Sequence, residues 1–207
     1  MDEVHGLFPV PVMRVRPALE PALVSGLIQH FAERAEFSNK SSDRLTHSAI
    51  LAPGDSPLLV SAASAIVPKL IEFGRLLFGE PLGWAIKEMW VNVMDTGGLQ
   101  ATHNHANCFI SGVVYLTPTH DDARTVFMRS AGGADFAFRN DHDGVECGPY
   151  NAIKWIGPAP EPGEMVLFPS YLMHCVPPNP GGRRITMSFN AIPTQLNCGG
   201  YTVSFGA

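Results

Sequence analysis

The sequence predicts a mainly β fold of sandwich or jelly-roll type, preceded by N-terminal helices. Three observations lead there. From Trp84 onward apolar residues recur with a period of two, in several short runs. Turn signals rich in Gly and Pro divide those runs, in a chain of 207 residues that holds 20 Gly and 18 Pro. Before residue 80 the apolar period is helical instead.

In chain order, Leu19, Leu23, Leu27, Ile28 and Phe31 form a stripe that predicts a helix within Pro17 to Phe37. Phe37 to Asp55 is polar and reads as a loop or irregular extended segment. Leu59, Ala62, Ile66, Leu70, Ile71, Phe73 and Leu77 predict a second helix, with Ser56 as N-cap and Pro57 at its first position. Strands are expected at Ile86–Met94, Phe109–Leu116, Thr125–Arg129, Glu164–Phe168, Arg184–Ile192 and Tyr201–Phe205. Ser130 to Pro162 is long, polar and Gly-rich, and loops of that length serve as lids or binding loops. The length fits one domain over 1–207, divided into a helical buttress with an irregular segment (1–83) and a β core (84–207).

Composition excludes several classes. Apolar residues make up 45%, enough for a core, which argues against disorder. The net charge is −5 and the longest basic run is Arg183–Arg184, so a nucleic-acid partner is not expected. Cys108, Cys147, Cys175 and Cys198 are widely spaced and read as reduced thiols of a cytoplasmic protein. The first residues lack the basic and apolar regions of a signal peptide, and no apolar run approaches the about 18 residues of a membrane span. The helices before Phe78 are as able to form a homodimer face as to buttress a sheet.

The eight His are the one count that points to chemistry. His103 and His105 stand two apart, so on an extended segment both leave one face and can reach one metal ion. His174 follows the expected strand Glu164–Phe168, and in a jelly roll a late strand pairs beside an early one. Arg184 opens an apolar strand, which is costly unless its fork meets a carboxylate, either of a core residue or of a ligand. Alternation places Thr186 and Ser188 on the same face as Arg184.

This arrangement resembles the iron(II)- and 2-oxoglutarate-dependent oxygenases of the prolyl-hydroxylase-like superfamily. The run P-G-x-x-V-L-F-P-S-x-x-x-H from Pro162 to His174 is similar to the strand leading to their distal metal ligand. Arg184-Ile185-Thr186 is similar to their R-x-S/T element, which binds the distal carboxylate of 2-oxoglutarate. The spacing from Asn92 to Gly97 and on to His103 is similar to that of the alkylation-repair branch, with Met94 where that branch has Tyr. Most closely, W-x-N-x-x-x-x-G-G…H-x-H…S-G-V-x-Y-L from Trp90 to Leu116, with S-F-N near the C-terminus, resembles a family of bacterial and phage 2-oxoglutarate–iron(II) oxygenases.

The resemblance implies a double-stranded β-helix (jelly roll, cupin-like) that binds Fe(II) and 2-oxoglutarate and oxidises a substrate with dioxygen. It implies metal ligation by His103, His105 and His174, and cofactor contacts from Arg184, Thr186, Asn92 and Tyr115. His105 stands where the superfamily usually has a carboxylate. Either the face is three-His, or a carboxylate comes from elsewhere, with Asp122, Asp95 and Asp143 as candidates. Trp90, Phe109 and Phe168 are candidate pocket walls. Phe136, Phe138 and Tyr150 are candidate substrate contacts on a lid. The substrate class stays open between a small molecule and a protein side chain. Two other functions fit the residues: a three-His cupin-type dioxygenase or isomerase without 2-oxoglutarate, and a non-catalytic metal- or ligand-binding module.

Overall fold

A computed structural model describes residues 2–129, 140 and 142–206. In chain order it runs β1 (Met13–Val15), α1 (Pro21–Phe31), β2 (Phe37–Asn39), β3 (Ser42–His47), α2 (Pro57–Phe78), β4 (Trp84–Met94), β5 (Gln100–His103), β6 (Ile110–Tyr115) and β7 (Val126–Met128). It continues with β8 (Lys154–Ile156), β9 (Met165–Pro169), β10 (His174–Val176), β11 (Arg184–Pro193), β12 (Gln195–Cys198) and β13 (Tyr201–Ser204). The strands form a seven-stranded sheet in the order β1-β9-β6-β11-β4-β3-β2, a four-stranded sheet β5-β10-β7-β8, and the hairpin β12-β13. All named pairings are antiparallel. The result is a jelly roll whose large and small sheets face the site described below.

The large sheet has two chemically different faces. Met89, Val91, Val93, Met187, Phe189 and Ala191 alternate onto one face and pack with Leu27, Leu59, Ile66, Leu70 and Phe73 of the helices. Glu88, Trp90, Asn92, Thr186, Ser188 and Asn190 occupy the alternate positions of β4 and β11. Every residue of β11 is buried, so the helices cover one face and the small sheet with its cavity covers the other. Close approach is needed at Gly112, where an added Cβ would lie 2.1 Å from the ring of Phe189.

The helices form as their stripes dictate. The Ser56 hydroxyl accepts from the Leu59 amide, Pro57 opens α2, and Gly79 closes it in the left-handed region (φ 79°). α1 starts later than the stripe, at Pro21, and Leu19 is buried just ahead of it. By length and composition α2 alone among the described helices could cross a membrane. In this fold Leu59, Ala62, Ile66, Leu70 and Phe73 are spent on the sheet.

Three expectations need correction. Phe37 to Asp55 is not irregular throughout: it holds the β2–β3 hairpin, and β3 pairs with β4 at Leu45↔Met94, Thr46↔Val93 and His47↔Asn92. Backbone pairing stabilises this edge, and Leu45 is its one fully buried side chain, so no apolar alternation announces it. The segment before Trp84 therefore supplies β1, β2 and β3 to the large sheet as well as helices. The 130–162 stretch is not loop throughout, because β8 adds to the small sheet beside β7. Phe136 and Phe138 lie outside the described residues.

Candidate active site

β5 and β10 are antiparallel neighbours, and His103 stands directly opposite His174. The third imidazole arrives differently from the expected alternation. β5 ends at His103, and His105 lies in the turn beyond it. That turn is sewn to the end of β9: the His105 amide donates to the Ser170 carbonyl at 3.0 Å, and the Ser170 hydroxyl donates to the Cys108 carbonyl. Asn107 takes the left-handed conformation (φ 57°) that lets the chain reverse.

The three rings converge. Their centroids are 4.2 Å (His103–His174), 5.1 Å (His103–His105) and 5.2 Å (His105–His174) apart. One nitrogen from each lies within 4.8 Å of the others. The Nδ1 atoms of His103 and His174 are 2.8 and 2.9 Å from the carbonyls of Ala101 and Leu172. A carbonyl only accepts, so both Nδ1 atoms carry hydrogen and both Nε2 atoms are left with lone pairs. His105 Nε2 stands 3.3 Å from His174 Nε2. Burial, reinforced by the neighbouring His103, pushes His174 down to about 3 and His105 down to about 4. Neutral imidazoles with converging lone pairs are the donor set of a divalent transition-metal ion. Among the described residues no carboxylate joins them. Asp122 is exposed beside His120, Asp95 pairs with Arg183 at 3.5 Å, and Asp143 is exposed.

The cavity behind the imidazoles, about 230 Å³ in volume, runs between the two sheets. Asn92, Arg184, Thr186 and Ser188 line it, as do Trp90 and Phe168. Arg184 is 5% exposed and, among the described residues, has no carboxylate partner. Its Nε has no hydrogen-bond partner among them either. Its guanidinium lies 5.4 Å above the Tyr115 ring. Burial draws its pKa down, against the stabilising proximity of Tyr115. A buried guanidinium without an anion is costly, so this cavity fits a ligand that brings a carboxylate. Asn92 donates to the Ser188 hydroxyl at 3.0 Å, which leaves further polar groups along the same wall.

Six of the seven sequence-predicted site residues thus line one cavity: His103, His105, His174, Arg184, Thr186 and Asn92. Tyr115 does not. It is 2% exposed, its hydroxyl lies 3.0 Å from Thr125 Oγ1, and it supports Arg184 from below. Phe109 is no pocket wall either; it meets Phe78 and Phe205 edge to face. Tyr150 is exposed. Ser188, Thr125 and Gln100 line the cavity without having been singled out as ligand contacts. Ser188 was legible from its alternation with Arg184, whereas Thr125 carries no signal in sequence.

A jelly roll that gathers three imidazoles beside a buried arginine with no carboxylate partner among the described residues is a mononuclear metal enzyme that takes a carboxylate-bearing co-substrate. Residues 88–190, about half of the chain, match the family described as "Putative 2OG-Fe(II) oxygenase", and the chain belongs to that family of iron(II)- and 2-oxoglutarate-dependent oxygenases. No curated protein matches it in sequence. Among solved structures it is similar in fold to HygX from Streptomyces hygroscopicus with nickel and 2-oxoglutarate bound: TM-score 0.64, 14% identity, over 89% of this chain and 84% of that one. It is also similar to a Pseudomonas putida prolyl-4-hydroxylase (TM-score 0.57, 19% identity, 87% of this chain and 92% of that one). A third likeness is to the 2-oxoglutarate-dependent epimerase SnoN of nogalamycin biosynthesis (TM-score 0.62, 12% identity, 90% and 80%).

Proposed function

We propose that the chain hydroxylates a small-molecule substrate, with His103, His105 and His174 holding iron and Arg184 anchoring 2-oxoglutarate. The observation that carries this reading is the pairing of the imidazole cluster with Arg184 in one cavity. When bound, iron(II) and 2-oxoglutarate together supply the oxidative chemistry, with succinate and CO₂ as co-products.

The protein's own contribution is binding, orientation and dryness. The Ala101 and Leu172 carbonyls hold His103 and His174 in the tautomer that offers Nε2. The packed turn between Asn104 and Phe109 presents His105 without help from a strand. Arg184, fixed over Tyr115, forks onto a carboxylate, and the Thr186 hydroxyl lies two residues along the same strand to assist it. Asn92 and Ser188 offer polar groups to the body of the co-substrate. Phe168, 4.7 Å from His174 edge to face, keeps water from one flank of the imidazoles. Three imidazoles bring no negative charge, so a doubly charged co-substrate neutralises Fe²⁺ on its own.

A small-molecule substrate has support from HygX, which has also been crystallised with hygromycin B, and from the modest volume of the cavity. The −5 net charge speaks against nucleic acid. The test is anaerobic titration of the Fe(II) protein with 2-oxoglutarate, followed through the visible metal-to-ligand charge-transfer band. The band is expected in the wild type, and its absence from metal-replete protein overturns the reading.

A further inference from the structure

A second cleft, about 350 Å³ and open to solvent, adjoins the first and shares Trp90, His105 and Asn39 with it. Its other walls include Glu88, Asn190, His47 and Asn104. Among the described residues Glu88 is the only carboxylate along it.

The way Glu88 is held sets it apart from a surface acid. Ser111 of β6, Asn190 of β11 and Glu88 of β4 lie opposite one another across three adjacent strands. The Ser111 hydroxyl donates to Asn190 Oδ1 at 2.8 Å, and Asn190 Nδ2 donates to Glu88 Oε1 at 2.8 Å. Ser111 is 1% and Asn190 3% exposed, so the relay runs through the interior and surfaces only at Glu88. Lys87 approaches the same Oε1 at 3.5 Å from a partly exposed side chain. Oε2 accepts no hydrogen bond from any described residue. Holding Asn190 requires one oxygen acceptor, which an amide would supply equally well. Lys87 meets the charge from the side of Oε1, and Oε2 faces the cleft without a partner among the described residues.

We propose that Glu88 is the specificity residue for the primary substrate, and that the substrate carries a protonated amine that binds Glu88 while its carbon skeleton lies against Trp90. The inference rests on the reading of the adjoining cavity as the metal and 2-oxoglutarate site. Asn39, Asn104 and His47 add further polar groups around the same cleft. His47 Nδ1 lies 2.8 Å from the Ser48 carbonyl and so carries hydrogen, which fixes the ring against the cleft wall. A charge-assisted bond in a partly desolvated cleft discriminates a cation from its neutral isostere by about tenfold or more.

The probes are cyclohexylammonium and cyclohexanol, of nearly equal size. Each is added to protein loaded with Mn(II) and 2-oxoglutarate, and the metal-induced relaxation of its ring protons is measured by NMR. The ammonium is expected to show about tenfold tighter binding than the alcohol. Glu88→Gln, which keeps an acceptor for Asn190, is expected to reduce that preference to within about twofold. Glu88→Asp keeps the charge but retracts it, and is expected to retain a weakened preference. Equal relaxation by both probes in the wild type, or an undiminished preference in Glu88→Gln, overturns the proposal. The charge-transfer titration with Fe(II) is run in parallel. A band without amine preference sinks this inference alone, whereas no band in the wild type sinks the reading beneath it as well. The wild-type comparison decides even if a variant fails to fold.

Discussion

Arg184 is the residue on which the site turns. It was legible because a guanidinium opening an apolar strand demands an explanation, and no described residue supplies a carboxylate to explain it. Arg184→Gln is expected to weaken 2-oxoglutarate binding by about 30-fold or more, since removing one partner of a buried charge pair costs about 2–5 kcal/mol. The same variant is expected to keep its metal affinity, and titration of each ligand separates the two. His103→Ala and His174→Ala are expected to lose the metal, measured by metal analysis after gel filtration. His105 was legible as a residue but not as a geometry, because its position depends on a turn bonded to Ser170 rather than on strand alternation. The imidazoles also set a pH dependence. The ordinary value for His105 and His174 is near 6.5, and burial in the metal-free fold pushes them down to about 4 and about 3. Between those values the unfolded chain binds more protons, so this stability is complete above about pH 6.5 and is lost as pH falls through about 4 and on toward about 3. Chemical denaturation of metal-free protein across that window is expected to show this slope, and His174→Gln to flatten it.

At the scale of elements, the helices and the long strands were readable because each buries an apolar stripe. α2 begins where Ser56 and Pro57 say it should, and β4, β6, β9 and β11 fall within about two residues of their expected bounds. The strands that escaped are β1, β2, β3, β5, β8, β10 and β12. Most are three or four residues long, and several are polar or exposed, so partners rather than periodicity define them. β5 and β10 carry two of the three clustered imidazoles, so the motif was visible while the strands bearing it were not. Two substitutions test the packing. Gly112→Ala would force a methyl group against Phe189, and is expected to cost about 1–3 kcal/mol by overpacking. Ser56→Ala removes the cap on the Leu59 amide and is expected to cost about 1 kcal/mol. Both are read as shifts in the midpoint of urea unfolding.

For the molecule as a whole, the division of the large sheet into an apolar and a polar face organises everything else. The helices seal one face, and the other is free to hold Asn92, Arg184, Thr186 and Ser188 against a ligand. Ligands that bind only the folded state raise its stability by mass action. Metal with 2-oxoglutarate is therefore expected to raise Tm above that of metal alone, and a chelator to lower it. In Arg184→Gln the metal increment should persist and the 2-oxoglutarate increment should vanish. The opposition of His103 and His174 carries a further consequence. An ion shared by two residues 71 positions apart in the chain ties off the intervening segment, much as a removable cross-link would. Because a shift of one residue between β5 and β10 would turn one imidazole to the opposite face, only the native alignment can accept the tie. The metal would then serve as an inspector of folding as well as an instrument of catalysis, fastening correctly registered chains and leaving misaligned ones open.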